Sequence, residues 1–353
     1  MSQFPIQHLY VHVPFCAAKC NYCAFYSEAG SADKMTGYVD CLLRELERFA
    51  PQLAPQTIFF GGGTPSLLPA TLMRRILERI PAAPEWTVEC NPSTVSTEKA
   101  NLFREFGVNR ISMGVQALDD ELLDVIGRVH SVEAAIGSYR KLRAAGFGNI
   151  NVDLMFGLPG QTMKHWRETL RQAIALEPEH LCTYCLIFEE DTHFWSLLQK
   201  GLIKPDEELE LAMYETGMEM LAAAGYRQYE ISNFAKPGKE CAHNIAYWEA
   251  KDYIGLGPSA CSTVGNRRWQ NSAQTQDWTV CFEEKLTPEL RAAERAAFGM
   301  RMNAGVPADL VRGRWDQQIG ELLSAELVQW RDGRLQPTRR GILFADEVAA
   351  EFI

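Results

Sequence analysis

The chain reads as an α/β protein built on a parallel sheet, and three observations predict this. Short apolar runs alternate with helix-length amphipathic segments between His8 and Phe188, which is the rhythm of strands joined by crossover helices. Polar residues and glycines stand where those runs stop, at Gly62, Glu89, Gln116 and Asp153. Three cysteines, Cys16, Cys20 and Cys23, follow the first run directly. In a βα barrel the C-terminal ends of the strands carry the chemistry, and all of these residues fall at such ends.

Taken in order, His8–Val13 is the first expected strand, closed by Pro14, which lacks a ladder donor. Ala32–Ala50 predicts a helix, with Tyr38, Leu42, Leu43, Leu46 and Phe49 near a 3.6 period, ended by Pro51 and Pro55. Thr57–Phe60 is the second strand, and Ser66 is expected to cap a helix running to Ile80. Trp86–Cys90, Arg110–Val115, Ile150–Met155 and Leu181–Phe188 are the remaining strands. Helices are expected at Thr97–Phe106, Asp119–Ile126, Val132–Ala145, Thr162–Ala175 and Pro205–Ala224. Tyr226–Ile231 reads as a further strand and Ser232–Gly265 as ordered loop. Leu286–Asn303 is helical. Short helices then precede a hairpin about Asp332-Gly333, and Thr338 caps a last helix. The expected domains are a barrel over 1–230, a connecting region over 231–285 and a small α+β, winged-helix-like unit over 286–353.

The chain has 353 residues, 46% of them hydrophobic, enough for one large core and a small appended domain. The net charge is −10, from 45 acids against 35 bases, and this argues against a general nucleic-acid binder. No apolar run approaches the length of a membrane span. Peripheral membrane contact stays compatible with the composition, and oligomeric state is not legible. Met1-Ser-Gln-Phe-Pro5 lacks the basic head, apolar core and cleavage site of a secretory leader. Ten cysteines in a chain of this length suit a cytoplasmic metal protein better than a disulfide scaffold.

The spacing of the thiols is C-x3-C-x2-C. Thiolates hold iron–sulfur clusters, and an ordinary four-iron cluster takes four of them. A local group of three leaves one iron open to another ligand. A structural zinc site with His12 as fourth ligand is the alternative, although such sites usually draw on two separated knuckles. Gly61-Gly-Gly-Thr-Pro65 follows a strand, and its backbone N–H groups can approach a small ligand closely. Glu89 suits a ribose hydroxyl or an ammonium, Gln116 an amide or carboxylate edge, and Arg128 a carboxylate. Asp153 interrupts an apolar strand, and a buried carboxylate needs a partner. Cys182 and Cys185 lie three apart in an expected strand, so alternation points them to opposite faces, and both read as packing residues.

At Cys16, Cys20 and Cys23, with Tyr22 before the last thiol, the chain resembles the radical S-adenosylmethionine (SAM) superfamily. The resemblance implies a partial (β/α)6 barrel, open on one side, and a [4Fe-4S] cluster on the three thiols. It also implies SAM chelated at the open iron, with reductive cleavage to a 5′-deoxyadenosyl radical as the family chemistry. Tyr10-Val-His-Val-Pro-Phe-Cys16, Gly61-Gly-Gly-Thr-Pro-Ser66, Ser112-Met-Gly-Val-Gln116 and Asp153-Leu-Met-Phe-Gly-Leu-Pro-Gly-Gln-Thr162 together resemble the oxygen-independent coproporphyrinogen III oxidase group. By position in those motifs, Tyr10, Tyr22, Gly62, Gly63, Thr64, Glu89, Gln116, Arg128 and Asp153 fall where that group contacts SAM.

Two departures matter. The oxidases resemble C-x3-C-x2-C-x-C, and the fourth position here is Phe25. They also carry an extension before the first strand, which here begins at His8. Both features point to the related haem chaperones, whose signature resembles H-N-x-x-Y-W. This chain has His243-Asn244-Ile-Ala-Tyr247-Trp248. A neutral imidazole is a common axial ligand to haem iron, and Tyr247 and Trp248 offer flat faces to a porphyrin. The resemblance therefore implies haem as a third cofactor, and haem-accepting proteins as partners, respiratory ones among them. It makes oxidative decarboxylation of coproporphyrinogen III the second reading. No catalytic residue is assigned, and whether SAM is cleaved or only bound is not legible.

Overall fold

The computed structural model describes residues 5–353. The absence of a leader, expected from Met1 onward, concerns residues outside that range. Six strands, Ile6–Val13 (β1), Leu53–Gly62 (β2), Glu85–Cys90 (β3), Arg110–Gln116 (β4), Ile150–Phe156 (β5) and His180–Cys185 (β6), pair in sequence and in parallel. Between and after them run helices Ala32–Phe49 (α1), Ala70–Leu77 (α2), Thr97–Glu105 (α3), Asp120–Val125 (α4), Val132–Ala144 (α5), Met163–Ala175 (α6), His193–Gln199 (α7) and Glu207–Ala223 (α8). Arg227–Gln228 (β7) and Asn233–Ala235 (β8) add antiparallel strands beyond β6. Past Ala242–Trp248 (α9), Ile254–Leu256 (β9) pairs in parallel with β1. The order β7-β8-β6-β5-β4-β3-β2-β1-β9 is linear, so the barrel stays open.

Alternation along the strands explains the shape. One set of side chains is apolar: Leu9, Val11 and Val13 of β1, Ile58 and Phe60 of β2, Trp86 and Val88 of β3, Ile111, Met113 and Val115 of β4. These form one buried core with Tyr38, Leu42 and Leu46 of α1, Ile76 of α2, Phe103 of α3, Leu142 of α5 and Trp166 of α6. Each fully buried side chain of this size contributes about 1.5–3 kcal/mol. The other set is polar and, by the period of two, faces the bore. It includes Tyr10 and His12 of β1, Glu89 of β3, Arg110 and Ser112 of β4, Asn151 and Asp153 of β5, and Cys182 and Tyr184 of β6, all of which line one cavity.

Residues 261–285 form a separate three-stranded antiparallel sheet, Cys261–Val264 (β10), Arg267–Asn271 (β11) and Val280–Lys285 (β12). The C-terminal part follows: Pro288–Gly299 (α10), Val306–Pro307 (β13), Ala308–Val311 (α11), Asp316–Ser324 (α12), Val328–Arg331 (β14), Arg334–Pro337 (β15), Arg339–Leu343 (α13) and Ala345–Ala350 (α14). It has its own buried core around Ala296, Met300, Ile319, Leu335 and Phe352. Asp332 (φ 51°) and Gly333 (φ 72°) make the hairpin turn, both left-handed as a type I′ turn requires.

Several expectations need correction. Ser66 caps no helix: Pro65–Leu67 is a 3₁₀ turn and α2 starts only after Pro69. Its buried hydroxyl instead bonds Thr94 Oγ1 and accepts from the Asn91 N–H. The strand expected at Tyr226–Ile231 shrinks to two residues. Ser232–Gly265 holds β8, α9, β9 and β10, each too short for its periodicity to be read. Residues 231–285 thus supply two strands, β8 and β9, to the main sheet. Leu181–Phe188 ends as a strand at Cys185, and α7 lies where no helix was expected.

Candidate functional site

The cysteine loop is held by backbone hydrogen bonds at both ends. Cys16 N–H donates to Glu28 O (3.1 Å) and Glu28 N–H to Pro14 O (2.7 Å). At the far side Asn21 N–H donates to Ile126 O (3.1 Å), and Phe194 N–H donates to Asn21 O (3.0 Å). The glycine loop is sewn to the same strand end, Gly63 N–H to Val13 O (2.8 Å) and Thr64 N–H to Phe15 O (2.7 Å). Thr64 Oγ1 lies 3.7 Å from Cys16 Sγ. Three half-buried thiols and a glycine turn therefore share one mouth of the sheet.

His12 is unsuited to be a fourth metal ligand. Its Nδ1 bonds the Tyr10 hydroxyl (3.1 Å) and its Nε2 the Tyr26 carbonyl (3.1 Å), so both ring nitrogens are taken. Among the described residues no three His, Cys, Asp or Glu side chains converge on a single-ion site.

Glycine is required at two positions here. Gly62 has φ +101°, and a Cβ there would lie 2.5 Å from the His12 ring. A Cβ on Gly63 would lie 2.7 Å from Phe15 O and 2.8 Å from Val13 O. Gly62 thus makes room for the His12 ring, and Gly63 lets its loop meet the end of β1 backbone to backbone. Gln116 adopts φ 71°, rare for a residue with a side chain, next to a register shift in β4. This turns its amide inward, where Oε1 accepts from the Tyr184 hydroxyl (2.6 Å).

Arg128 donates through one NH2 group to Cys20 Sγ (3.5 Å) and through the other to Gly114 O. Its Nε is buried without a partner. Asp153 accepts from Asn151 Nδ2 (2.6 Å) and Ser112 Oγ (3.3 Å), the partners its burial demands. Glu89 lies against Gly61, whose Cβ would stand 3.1 Å from the carboxylate. Burial, then the Asp153 charge, push the Glu89 carboxyl up from its ordinary 4.5 to about 8.

The sign of that shift gives a prediction. The folded chain holds a proton on Glu89 that the unfolded chain releases near 4.5. Its contribution to stability is thus fully present at lower pH and is lost as pH rises to about 8. Glu89→Gln is expected to flatten the ligand-free melting temperature across that window, as thermal unfolding at a series of pH values would show. An unchanged slope would mean that Glu89 is ionised throughout.

The predicted haem residues lie on α9. Glu85, at the start of β3, accepts the N–H of Ala242 (2.8 Å) and of His243 (2.9 Å), placing an acid at that helix N-terminus. His243 Nδ1 shares a hydrogen bond with Thr57 Oγ1 (2.8 Å), and Thr57 Oγ1 also meets His8 Nδ1 (2.9 Å). One hydroxyl proton cannot serve both rings, so one imidazole must donate its Nδ1–H to Thr57. The His243 ring stacks on Phe59 with centroids 5.2 Å apart. Tyr247 stacks on Phe298, and the Arg301 guanidinium lies over Trp248.

A single cavity of about 860 Å³ is lined by Tyr10, Cys16, Cys20, Tyr22, Cys23, Gly62, Gly63, Thr64, Glu89, Gln116, Arg128, Asp153, His243, Asn244, Tyr247 and Trp248. The structure therefore brings together every candidate residue chosen from the sequence. The glycine loop stands five residues up β2 from Thr57, roughly 17 Å at strand rise, so His243 sits well below the thiols. Cys182 lines the cavity rather than packing, whereas Cys185 faces Gly157 and Glu210. Phe25 lines it too, and is 68% exposed. Thr57, Phe59, Glu85 and Arg110 were missed. The signal that could have found Glu85 and Arg110 is polar residues at i, i+2 within apolar strands, as in Glu85-x-Thr87-x-Glu89 and Arg110-x-Ser112.

A sequence model described as the radical SAM superfamily matches residues 10–173. The haem chaperone HemW of Bacillus subtilis is 35% identical over 374 residues, covering 98% of this chain and 98% of that protein. This chain belongs to the HemW family. HemW of Escherichia coli is 41% identical over 75% of this chain and 72% of its own length. Among solved structures, coproporphyrinogen III oxidase (HemN) from Escherichia coli, a radical SAM enzyme, matches with a TM-score of 0.83. It is 23% identical and covers 99% of this chain and 90% of that one, a likeness of fold. The superfamily to which HemW belongs implies a [4Fe-4S] cluster and SAM. The residues at the mouth fit both: three accessible thiols, a glycine turn with close backbone, a buried carboxyl at Glu89 and an unpartnered Nε on Arg128. Among the described residues no helix is long and apolar enough to cross a membrane.

Proposed function

We propose that the protein is a haem chaperone on a radical SAM scaffold, which binds haem through α9 and passes it to acceptor haemoproteins. One observation carries this reading: His243, Asn244, Tyr247 and Trp248 line the same cavity as the cysteine loop. Burial, then the neighbouring His8 and Arg110, push the His243 imidazole down to about 3, so it is neutral and able to ligate at physiological pH. With Nδ1 held at Thr57, Nε2 is the nitrogen left for an iron. A donating Nδ1–H would fix the ring as second-shell partners fix metal-bound histidines. Cys16, Cys20 and Cys23 would hold the cluster, which supplies one-electron chemistry when bound. Tyr10, Tyr22, Gly62, Gly63, Thr64, Glu89, Gln116, Arg128 and Asp153 would surround SAM.

The division into a barrel over 1–230, a connecting region over 231–285 and a C-terminal unit over 286–353 belongs to the same proposal. The separate core of the last unit supports its independence. A cytoplasmic location, acceptors among respiratory haemoproteins and the lack of a nucleic-acid partner complete the reading. The charge of −10 supports the last of these.

The test is His243→Ala. Haem bound by this variant is expected to show a shifted absorption spectrum and weaker affinity, while cluster iron stays at the wild-type level. An identical spectrum and affinity would remove His243 as ligand. Conversion of coproporphyrinogen III to protoporphyrinogen by the reconstituted wild type, with SAM and a reductant, would instead establish the decarboxylase.

A further inference from the structure

Arg110 opens β4, and beyond the effect of its charge on His243 the site gives it no partner. It lines the cavity and is 2% exposed. Its register neighbours across the sheet are Thr87, then Phe59, then Tyr10. Its Nε is buried without a partner. Among the described residues no hydrogen bond or ion pair reaches the rest of its guanidinium. Three other partly buried arginines of this fold are paired with acids: Arg143 with Glu179, Arg268 with Glu294 and Arg291 with Asp252.

Glu85 and Asp153 favour the Arg110 charge from a distance, but neither is within hydrogen-bond reach of it. Glu85 receives the N–H groups of α9, and Asp153 those of Asn151 together with the Ser112 hydroxyl. Glu89, held protonated near neutral pH, offers little charge. Removing a guanidinium from water is costly unless an anion pairs with it. A guanidinium left bare inside a cavity is therefore a site for an anion, and its planar fork matches a carboxylate.

We propose that Arg110 anchors a carboxylate of the ligand held in the bore, and that this carboxylate is a propionate of a porphyrin carried on His243. The assignment rests on the haem reading. His243 packs on Phe59 of β2, and Arg110 stands two strands away on the level of Phe59. That separation is roughly 10 Å, two inter-strand spacings, comparable to the reach from a porphyrin's metal to its propionates. SAM is the other source of a carboxylate in this cavity.

The experiment compares wild type, Arg110→Lys and Arg110→Met, each titrated with haem, with haem dimethyl ester and, after cluster reconstitution, with SAM. Wild type is expected to prefer haem to the ester by about tenfold or more. Arg110→Met should lose that preference while its affinity for the ester stays unchanged, and Arg110→Lys should retain part of it. The absorption spectrum of bound haem should not move, because His243 remains. An unchanged preference in Arg110→Met, together with lower SAM affinity, would place SAM's carboxylate on Arg110 and overturn the propionate. No change in either ligand would overturn the anchor altogether. Failure of wild type to bind haem at all would sink the haem reading separately, and the SAM arm would still test the anchor. The ligand-free Arg110→Met protein should melt no lower than wild type. A lower melting temperature would show that the fold already pairs the guanidinium, and would overturn the proposal.

Discussion

Replacing Cys16, Cys20 and Cys23 together by alanine is expected to remove essentially all cluster iron and sulfide from the reconstituted protein and leave the barrel folded. The loop is shaped by main-chain hydrogen bonds, Cys16 to Glu28, Asn21 to Ile126 and Thr64 to Phe15, none of which needs a thiol. The other seven cysteines lie outside that loop, and those that line the cavity, Cys90, Cys182 and Cys261, come singly from separate strands. Cys90 and Cys241 are buried, Cys185 faces Glu210, and Cys281 is exposed on β12. Iron, sulfide and the visible absorption band are the measurements, with circular dichroism to confirm folding. A full iron load in the triple variant would overturn the assignment. Removal of the remaining thiols should leave the load unchanged.

Gly63→Val is expected to abolish SAM binding and to destabilise the chain by ~3 kcal/mol or more. The first atom of the new side chain would lie 2.7 Å from Phe15 O and 2.8 Å from Val13 O, and backbone carbonyls do not rotate aside. The loop would have to leave β1, breaking the Gly63-to-Val13 and Thr64-to-Phe15 hydrogen bonds and moving Thr64 away from Cys16. Calorimetry with SAM and a denaturant titration would read both effects. Wild-type stability would show that the loop can relax. Wild-type SAM affinity would show that the ligand lies elsewhere.

The candidate site was legible where its chemistry sits in contiguous residues. Cys16, Cys20 and Cys23 announce themselves by spacing, and Gly61 to Pro65 and His243 to Trp248 by local composition. Where chemistry comes from one residue per strand, only alternation marks it, and that signal is weak in a strand of six or seven residues. Arg110 opens a strand and resembles a surface residue, yet it is 2% exposed. Thr57 and Phe59 look like ordinary β-formers, and only the approach of α9 makes them the support of His243.

By itself the sequence determined the α/β class, the six parallel strands, the cysteine loop and the apolar faces that pack under the helices. These follow from local periodicity, from proline and glycine punctuation and from thiol chemistry, all of which act over a few residues. Tertiary structure alone decided that β9 pairs with β1, that Glu85 of β3 receives the N-terminus of α9, and that the thiols and His243 share one cavity. Such contacts join residues more than a hundred and fifty positions apart, such as Glu85 and His243. They depend on how the open sheet curves and which edge stays free, and no local pattern of residues encodes that.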